Sequence, residues 1–210
     1  MYRVKVKICG IHNAYEAKKA SEYGADFLGI LIDVPGTNLS LSVAKAKKII
    51  SHHNSLKFII LTIEEDPKRV LKLVNDISPW GIQLLRPTEE NVGFLDDNSC
   101  VKVIAVIHIR NRKAINEVKR FKRANYLLLD STKGGHLGGT GKVHDWRISK
   151  RIIEISKIPV FLAGGLNALN VTKAIKSVNP FCVDADSSLR NKKGYRNLKK
   201  VKEFIKIVKD

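Results

Sequence analysis

The 210-residue sequence predicts a single (β/α)8 barrel spanning residues 1–210. Three observations lead there. Eight short, apolar and largely β-branched runs recur along the chain. Their starts lie 21 to 33 residues apart, the length of a strand–helix unit rather than of a hairpin. The glycine-rich turns come late, after the sixth and seventh runs, close to where such barrels bind phosphate. An open doubly wound sheet competes, but it carries a G-x-G-x-x-G turn after its first strand. Here the first run ends in Cys9-Gly10 with no such turn.

The expected strands are residues 4–9, 27–32, 57–63, 80–85, 101–108, 126–130, 159–163 and 181–186. Most are apolar on both faces, as strands covered on both sides should be. Between them the period changes to that of helices. Asn13 caps a helix with Glu16 at its third position, and Gly24 suits a left-handed stop after Tyr23. Residues 89–95 form a short helix interrupted by Gly93. Asn167 caps a helix that buries Val171, Ala174, Ile175 and Val178 on one stripe. The last helix buries Leu198, Val201, Phe204, Ile205 and Val208.

Composition sets the setting. Hydrophobic residues make up 44% and charged residues 28%, ordinary for a globular chain. No apolar run approaches the roughly 18 residues that cross a bilayer, and Met1 is followed by no signal-peptide layout. A cytoplasmic protein with no membrane contact is expected. Cys9, Cys100 and Cys182 form neither a disulfide framework nor a metal pair, so three buried thiols in a reducing compartment are expected. The six histidines show no metal-ligand spacing, and no metal is expected. The formal charge of +18 is spread over Lys18-Lys19, Lys47-Lys48, 119–123, Lys150-Arg151, Lys192-Lys193 and Lys199-Lys200. That spread reads as lysine-rich solvated helix faces and disfavours a nucleic-acid partner.

Three turns carry candidate chemistry. In Ala163-Gly164-Gly165-Leu166-Asn167, two residues without Cβ atoms let backbone N–H groups approach an anion. Asp186-Ser187-Ser188 follows the eighth strand and completes the cage, with Gly194 able to open a short extra helix. Gly138-Gly139-Thr140-Gly141 lies in the long loop after the sixth strand and suits either a closing substrate loop or a plain linker. Cys9 and Asp130 end the first and sixth strands, at the mouth where catalytic residues of such barrels sit. A thiolate can serve as a general base and a carboxylic acid as a general acid. Asp184 is a second candidate acid.

Taken together, these pieces resemble the phosphoribosylanthranilate isomerase family. The matching stretches are Lys7-Ile-Cys-Gly-Ile11, Gly24-Ala-Asp-Phe-Leu-Gly29, Ile82-Gln83-Leu84, Leu128-Leu-Asp-Ser131, Gly138-Gly-Thr-Gly141 with His144-Asp-Trp146, Leu162-Ala-Gly-Gly-Leu-Asn167 and Val183-Asp-Ala-Asp-Ser187. The resemblance implies a cofactor-free Amadori rearrangement of N-(5′-phosphoribosyl)anthranilate in tryptophan biosynthesis, by a monomer or homodimer. It implies Asp130 as general acid, Cys9 as general base and a phosphorylated sugar as partner. It further implies Gly164, Gly165, Asp186, Ser187 and Ser188 as phosphate-binding residues, and Gly139, Thr140 and Gly141 as the substrate loop.

The departures fall at the other end of the substrate. Where the family has Ser-Pro-Arg, with the arginine expected on the anthranilate carboxylate, this chain has Thr37-Asn38-Leu39, and leucine makes no salt bridge. The family's histidine after the fourth strand is Leu85, followed by Arg86. The strand-eight motif reads Asp184-Ala-Asp-Ser-Ser-Leu-Arg190, and the later Lys-Asp pair reads Arg196-Asn197. Arg86 is therefore the candidate for the anthranilate end. A paralogue acting on another phosphorylated sugar derivative, and a non-catalytic phosphometabolite- or nucleic-acid-binding barrel, are the alternatives.

Overall fold

A computed structural model of the chain describes residues 3–53, 55–131 and 143–210. Among these residues the strands are β1 (Lys5–Ile8), β2 (Phe27–Ile32), β3 (Ser40–Leu41), β4 (Phe58–Thr62), β5 (Gly81–Leu84), β6 (Lys102–Ile109), β7 (Tyr126–Ser131), β8 (Val160–Leu162) and β9 (Cys182–Ala185). The helices are α1 (Ala14–Glu22), α2 (Val43–Ser51), α3 (Pro67–Ile77), α4 (Glu89–Asn98), α5 (Ala114–Glu117), α6 (Trp146–Ile155), α7 (Val171–Val178) and α8 (Leu198–Lys209). The ladders are parallel, and β1 pairs with both β2 and β9, which closes the sheet on itself. Eight strands form the ring, and the two-residue β3 is an appendage on β2. The eight expected strands are thus the eight staves of the barrel.

Closure creates two apolar layers. The outer one lies between staves and helices, where Val6, Ile8, Ile30, Ile60, Leu127 and Leu162 meet the helix stripes. The inner one fills the barrel and contains Ile59, Ile104, Leu128 and Phe161. At the end where the strands begin, Phe27, Trp80, Tyr126, Phe161 and Phe181 pack ring against ring, with centroids 4.9–6.3 Å apart. The Lys57 ammonium lies over Phe27 and Trp80, 5.7 Å from each ring.

Several local expectations change. Helix α4 starts at a reciprocal cap between Thr88 and Asn91 and runs on to Asn98, where the Asn98 amide and the Ser99 hydroxyl donate to the Phe94 and Leu95 carbonyls. Gly93 in its middle is used: a Cβ there would lie 3.2 Å from Arg123 Nη1, and Arg123 crosses the helix to pair with Asp96 and Asp97. Asn167 does not cap α7. Its Oδ1 accepts from Leu169 and Asn170 N–H and holds an extra turn before the helix. The short extra helix is Ser187–Leu189, directly after β9, whereas Gly194 sits in a turn with φ +83°. Cys9 and Cys182 are buried, but Cys100 is exposed ahead of β6. The basic run 119–123 lies beyond the four-residue α5 in turn structure, not on a helix.

Candidate active site

Within the barrel mouth lies a cavity lined by Cys9, Asp130, Gly164, Gly165, Asp186 and Ser187, among others. It holds about 100 Å³ of space open to water-sized molecules. Parallel strands all point their C-terminal ends the same way, so residues 9, 130, 163 and 185–186, distant in sequence, meet at one rim. One side of the cavity is apolar: Leu31, Val34, Leu61, Leu85 and Leu128.

Cys9 follows β1 and is 6% exposed. Its thiol has room because β2 carries Gly29 opposite, where a Cβ would sit 3.0 Å from the sulfur. Burial pushes the thiol up to about 12, opposed by Lys7. Asp130, on β7, accepts the Ser131 N–H at 2.7 Å. Burial, with the neighbouring Asp184 carboxylate, raises its carboxyl to about 7. A carboxyl with that value carries a proton much of the time at neutral pH, as a general acid must.

Two basic side chains to which the sequence assigned no role, Lys7 and Arg196, organise the floor and rim. Lys7 is fully buried inside the barrel, two residues before Cys9, and its ammonium lies 2.7 Å from Asp184 Oδ2. Burial opposes its charge, yet Asp184 and Cys9 hold its pKa above the ordinary value. Burial pushes Asp184 up despite Lys7. The signal for Lys7 was in the alternation: Lys5, Lys7 and Cys9 share one strand face opposite Val6 and Ile8, and a lysine facing a barrel interior requires an acid. Arg196 is 2% exposed. It donates to the carbonyls of Cys9, Gly10 and Asp186 and, at 2.9 Å, to Asp186 Oδ1. Arg190 donates through Nε to the same Oδ1 at 2.9 Å and through Nη2 to Oδ2. Both oxygens of Asp186 are thereby held by cations, which offset its charge at the cavity rim.

The loops after β8 and β9 are joined. Ser188 Oγ donates to the Leu166 carbonyl at 2.6 Å, so its hydroxyl ties the loop after β9 to the loop after β8, while Ser187 lines the cavity. Gly164 and Gly165 have φ of +86° and +68°. A Cβ on Gly164 would lie 2.1 Å from Ser131 Oγ. That hydroxyl is bonded to His144 Nδ1 at 2.8 Å, and the other ring nitrogen of His144 meets Ser149 Oγ. Burial lowers the His144 pKa to about 4, so the ring is neutral and bridges the end of β7 to α6.

Of the sequence-derived candidates, the structure brings Cys9, Asp130, Gly164, Gly165, Asp186 and Ser187 into one cavity, with Ser188 bracing it. Gly139, Thr140 and Gly141 lie outside the described residues. Arg86 is 53% exposed at the rim, 3.6 Å from Glu65. It faces a neighbouring depression with His108, Arg110 and Lys113 that shares Leu85 with the central cavity. Leu39 is buried against the backbone of Gly10. Among the described residues no cluster of His, Cys, Asp or Glu could hold a metal, and no helix is long and apolar enough to cross a membrane.

A family model described as N-(5′-phosphoribosyl)anthranilate (PRA) isomerase matches residues 6–207. A protein of that name from Methanocaldococcus jannaschii is 36% identical over 98% of this chain and 97% of its own length. Its namesake from Aquifex aeolicus is 34% identical over 98% of each. A crystal structure of phosphoribosyl anthranilate isomerase from Thermotoga maritima superposes with a TM-score of 0.88, at 27% identity and 98% coverage of both chains. Another, solved with reduced 1-(o-carboxyphenylamino)-1-deoxyribulose 5-phosphate, gives 0.84 at 25% identity and the same coverage. With this sequence match along nearly its whole length and a barrel of the same shape, the chain belongs to the N-(5′-phosphoribosyl)anthranilate isomerase family.

Proposed function

We propose that this barrel converts N-(5′-phosphoribosyl)anthranilate, an aminoaldose, into the corresponding aminoketose, with Asp130 as general acid and Cys9 as general base. One observation carries the reading: two groups 121 positions apart line a single cavity, and the carboxyl is held near 7. Asp130 gives its proton to the ribose ring oxygen. The ring opens to a protonated Schiff base, whose positive charge acidifies the hydrogen on C2. The Cys9 thiolate removes that hydrogen, and the resulting enolamine tautomerises to the ketose. Acid and base act on different atoms of one sugar, which suits their origin on different strands.

The phosphate is assigned to the rim formed by Gly164, Gly165 and the Asp186-Ser187-Ser188 turn, with Arg190 and Arg196 offsetting the Asp186 carboxylate. The aromatic ring fits the apolar wall of Leu31, Val34, Leu61 and Leu85. Arg86, next to Leu85, is the cation we assign to the carboxylate in place of the arginine lost at Leu39. The role of Gly139, Thr140 and Gly141 as substrate loop rests on the sequence resemblance alone. Free thiols at Cys9, Cys100 and Cys182 suit a cytoplasmic setting.

Complementation tests the activity. The gene is expected to restore growth without tryptophan to a strain lacking this isomerase, and to fail when Cys9→Ala or Asp130→Asn is introduced. Growth supported by either variant would overturn the assignment. Tight binding of a different phosphosugar without complementation would favour the paralogue.

A further inference from the structure

The acid–base reading leaves one proton unplaced, and this inference rests on that reading. Cys9 is a thiol at rest, because burial disfavours its anion. To act as base it must first release a proton. The aromatic layer closes the barrel below it, so the acceptor belongs to the cavity or its immediate lining.

Three carboxylates line that cavity: Asp130, Asp184 and Asp186. Asp130 must keep a proton to act as acid. Asp186 has both oxygens occupied by Arg190 and Arg196. Asp184 differs from both: Oδ2 is bound by Lys7 at 2.7 Å, while Oδ1 is buried and has no hydrogen-bond partner among the described residues. A buried acceptor left unpaired is costly. The register places it on the interior face that also carries the thiol, with no hydrogen bond between the two at rest. Lys7 on β1 pairs directly with Asp184 on β9, and Cys9, two residues beyond Lys7, lies on the same face as its diagonal neighbour. The charges that act on Cys9 come from Lys7 on its own strand, Asp184 and Asp186 on the neighbouring one, and Arg196 from the loop beyond.

We propose that Lys7 and Asp184 are positioning residues for the isomerisation: the free oxygen of Asp184 takes the thiol proton, and Lys7 becomes the counter-ion of the Cys9 thiolate. The step balances. The S–H bond breaks, an O–H bond forms on Asp184 Oδ1, and the negative charge passes from carboxylate to sulfur. Lys7 keeps its ammonium throughout, so the interior holds one cation and one anion before and after. No isolated charge is created in a medium where that is expensive.

An internal transfer does not depend on bulk pH, whereas ionisation to water rises about tenfold per pH unit. The test is the alkylation rate of Cys9 by iodoacetamide in the intact protein, scored on the Cys9 peptide between about pH 6 and 8. The wild-type rate is expected to change only modestly, as Asp130 in the same cavity titrates near 7, and that of Asp184→Asn to climb about tenfold per unit. The same variant should lose about a hundredfold in kcat with KM held within about threefold. Asp184→Glu should recover part of the loss. Because Asp184→Asn leaves a buried ammonium unmatched, the Lys7→Met/Asp184→Asn double variant, which buries no charge, serves if the single one does not fold, with the same hundredfold loss expected. A wild-type rate that climbs tenfold per unit, or a neutral pair that keeps the wild-type kcat, would overturn the proposal. A Cys9→Ala protein that still isomerised would remove the base assignment itself, and this proposal with it.

Discussion

Arg196 Nη2 donates to Asp186 Oδ1 at 2.9 Å and also reaches the carbonyls of Cys9 and Gly10. One guanidinium thus fastens the last strand–helix loop to the first, across the seam where the barrel closes. Removing one member of a buried ion pair costs about 3–5 kcal/mol. Because Arg190 stays on Asp186, Arg196→Met is expected to lose about 3 kcal/mol of unfolding free energy in urea titrations. Arg196→Lys should recover little, since a single ammonium cannot span three carbonyls and a carboxylate.

As the proposed general acid, Asp130 should affect catalysis and stability with opposite signs. Its folded pKa, about 7, lies above the unfolded value of about 3.9. The folded state therefore binds the proton more tightly, and the stabilisation is complete below about pH 4 and is lost as pH rises through 7. Asp130→Asn is expected to be inactive, down by about 10²- to 10⁴-fold in kcat/KM, yet more resistant to urea than wild type at pH 8. Equal resistance of the two proteins there would show that burial does not raise the carboxyl's pKa.

His144 behaves conversely. Its pKa is lowered to about 4 from about 6.5 unfolded, so its contribution is present above 6.5 and lost as pH falls toward 4. Between those values wild-type stability should decline more steeply than that of His144→Gln, measured by thermal melts in matched buffers.

Gly29→Ala separates function from folding. The new methyl would sit 3.0 Å from Cys9 Sγ and 3.1 Å from its Cα, so the thiol must shift. Activity is expected to fall by up to about a hundredfold, as misplacement of a reacting group by an ångström can cause, while Tm changes by only a few degrees. A variant with unchanged kcat would show that the sulfur position is not critical.

Arg86→Ala should raise KM for phosphoribosylanthranilate and leave kcat nearly unchanged, the signature of lost uniform binding. An unaltered KM would remove Arg86 from the anthranilate end.

The staves were legible because a strand covered on both faces must be apolar throughout, and residues 27–32, 58–62 and 126–129 leave no other option. The partners of Asp186 were only half legible. Arg190 and Arg196 stood out as departures from the family pattern, but nothing local showed that Arg196 would clasp Cys9 and Gly10, contacts that span more than 180 positions. Lys7 was hidden for a related reason: its acid lies 177 residues away, and only barrel closure makes them neighbours. Asn167 misled because a turn and a helix both accept asparagine at their start.

The ring of Phe27, Trp80, Tyr126, Phe161 and Phe181 has a kinetic consequence. With that end of the barrel plugged by stacked aromatics, the mouth is the one opening to the cavity among the described residues. Ketose must depart along the path by which aldose arrived, so the two cannot share the chamber. Product should therefore act as a purely competitive inhibitor, and opening the plug, for instance with Trp80→Ala, should not speed turnover by giving product a second exit.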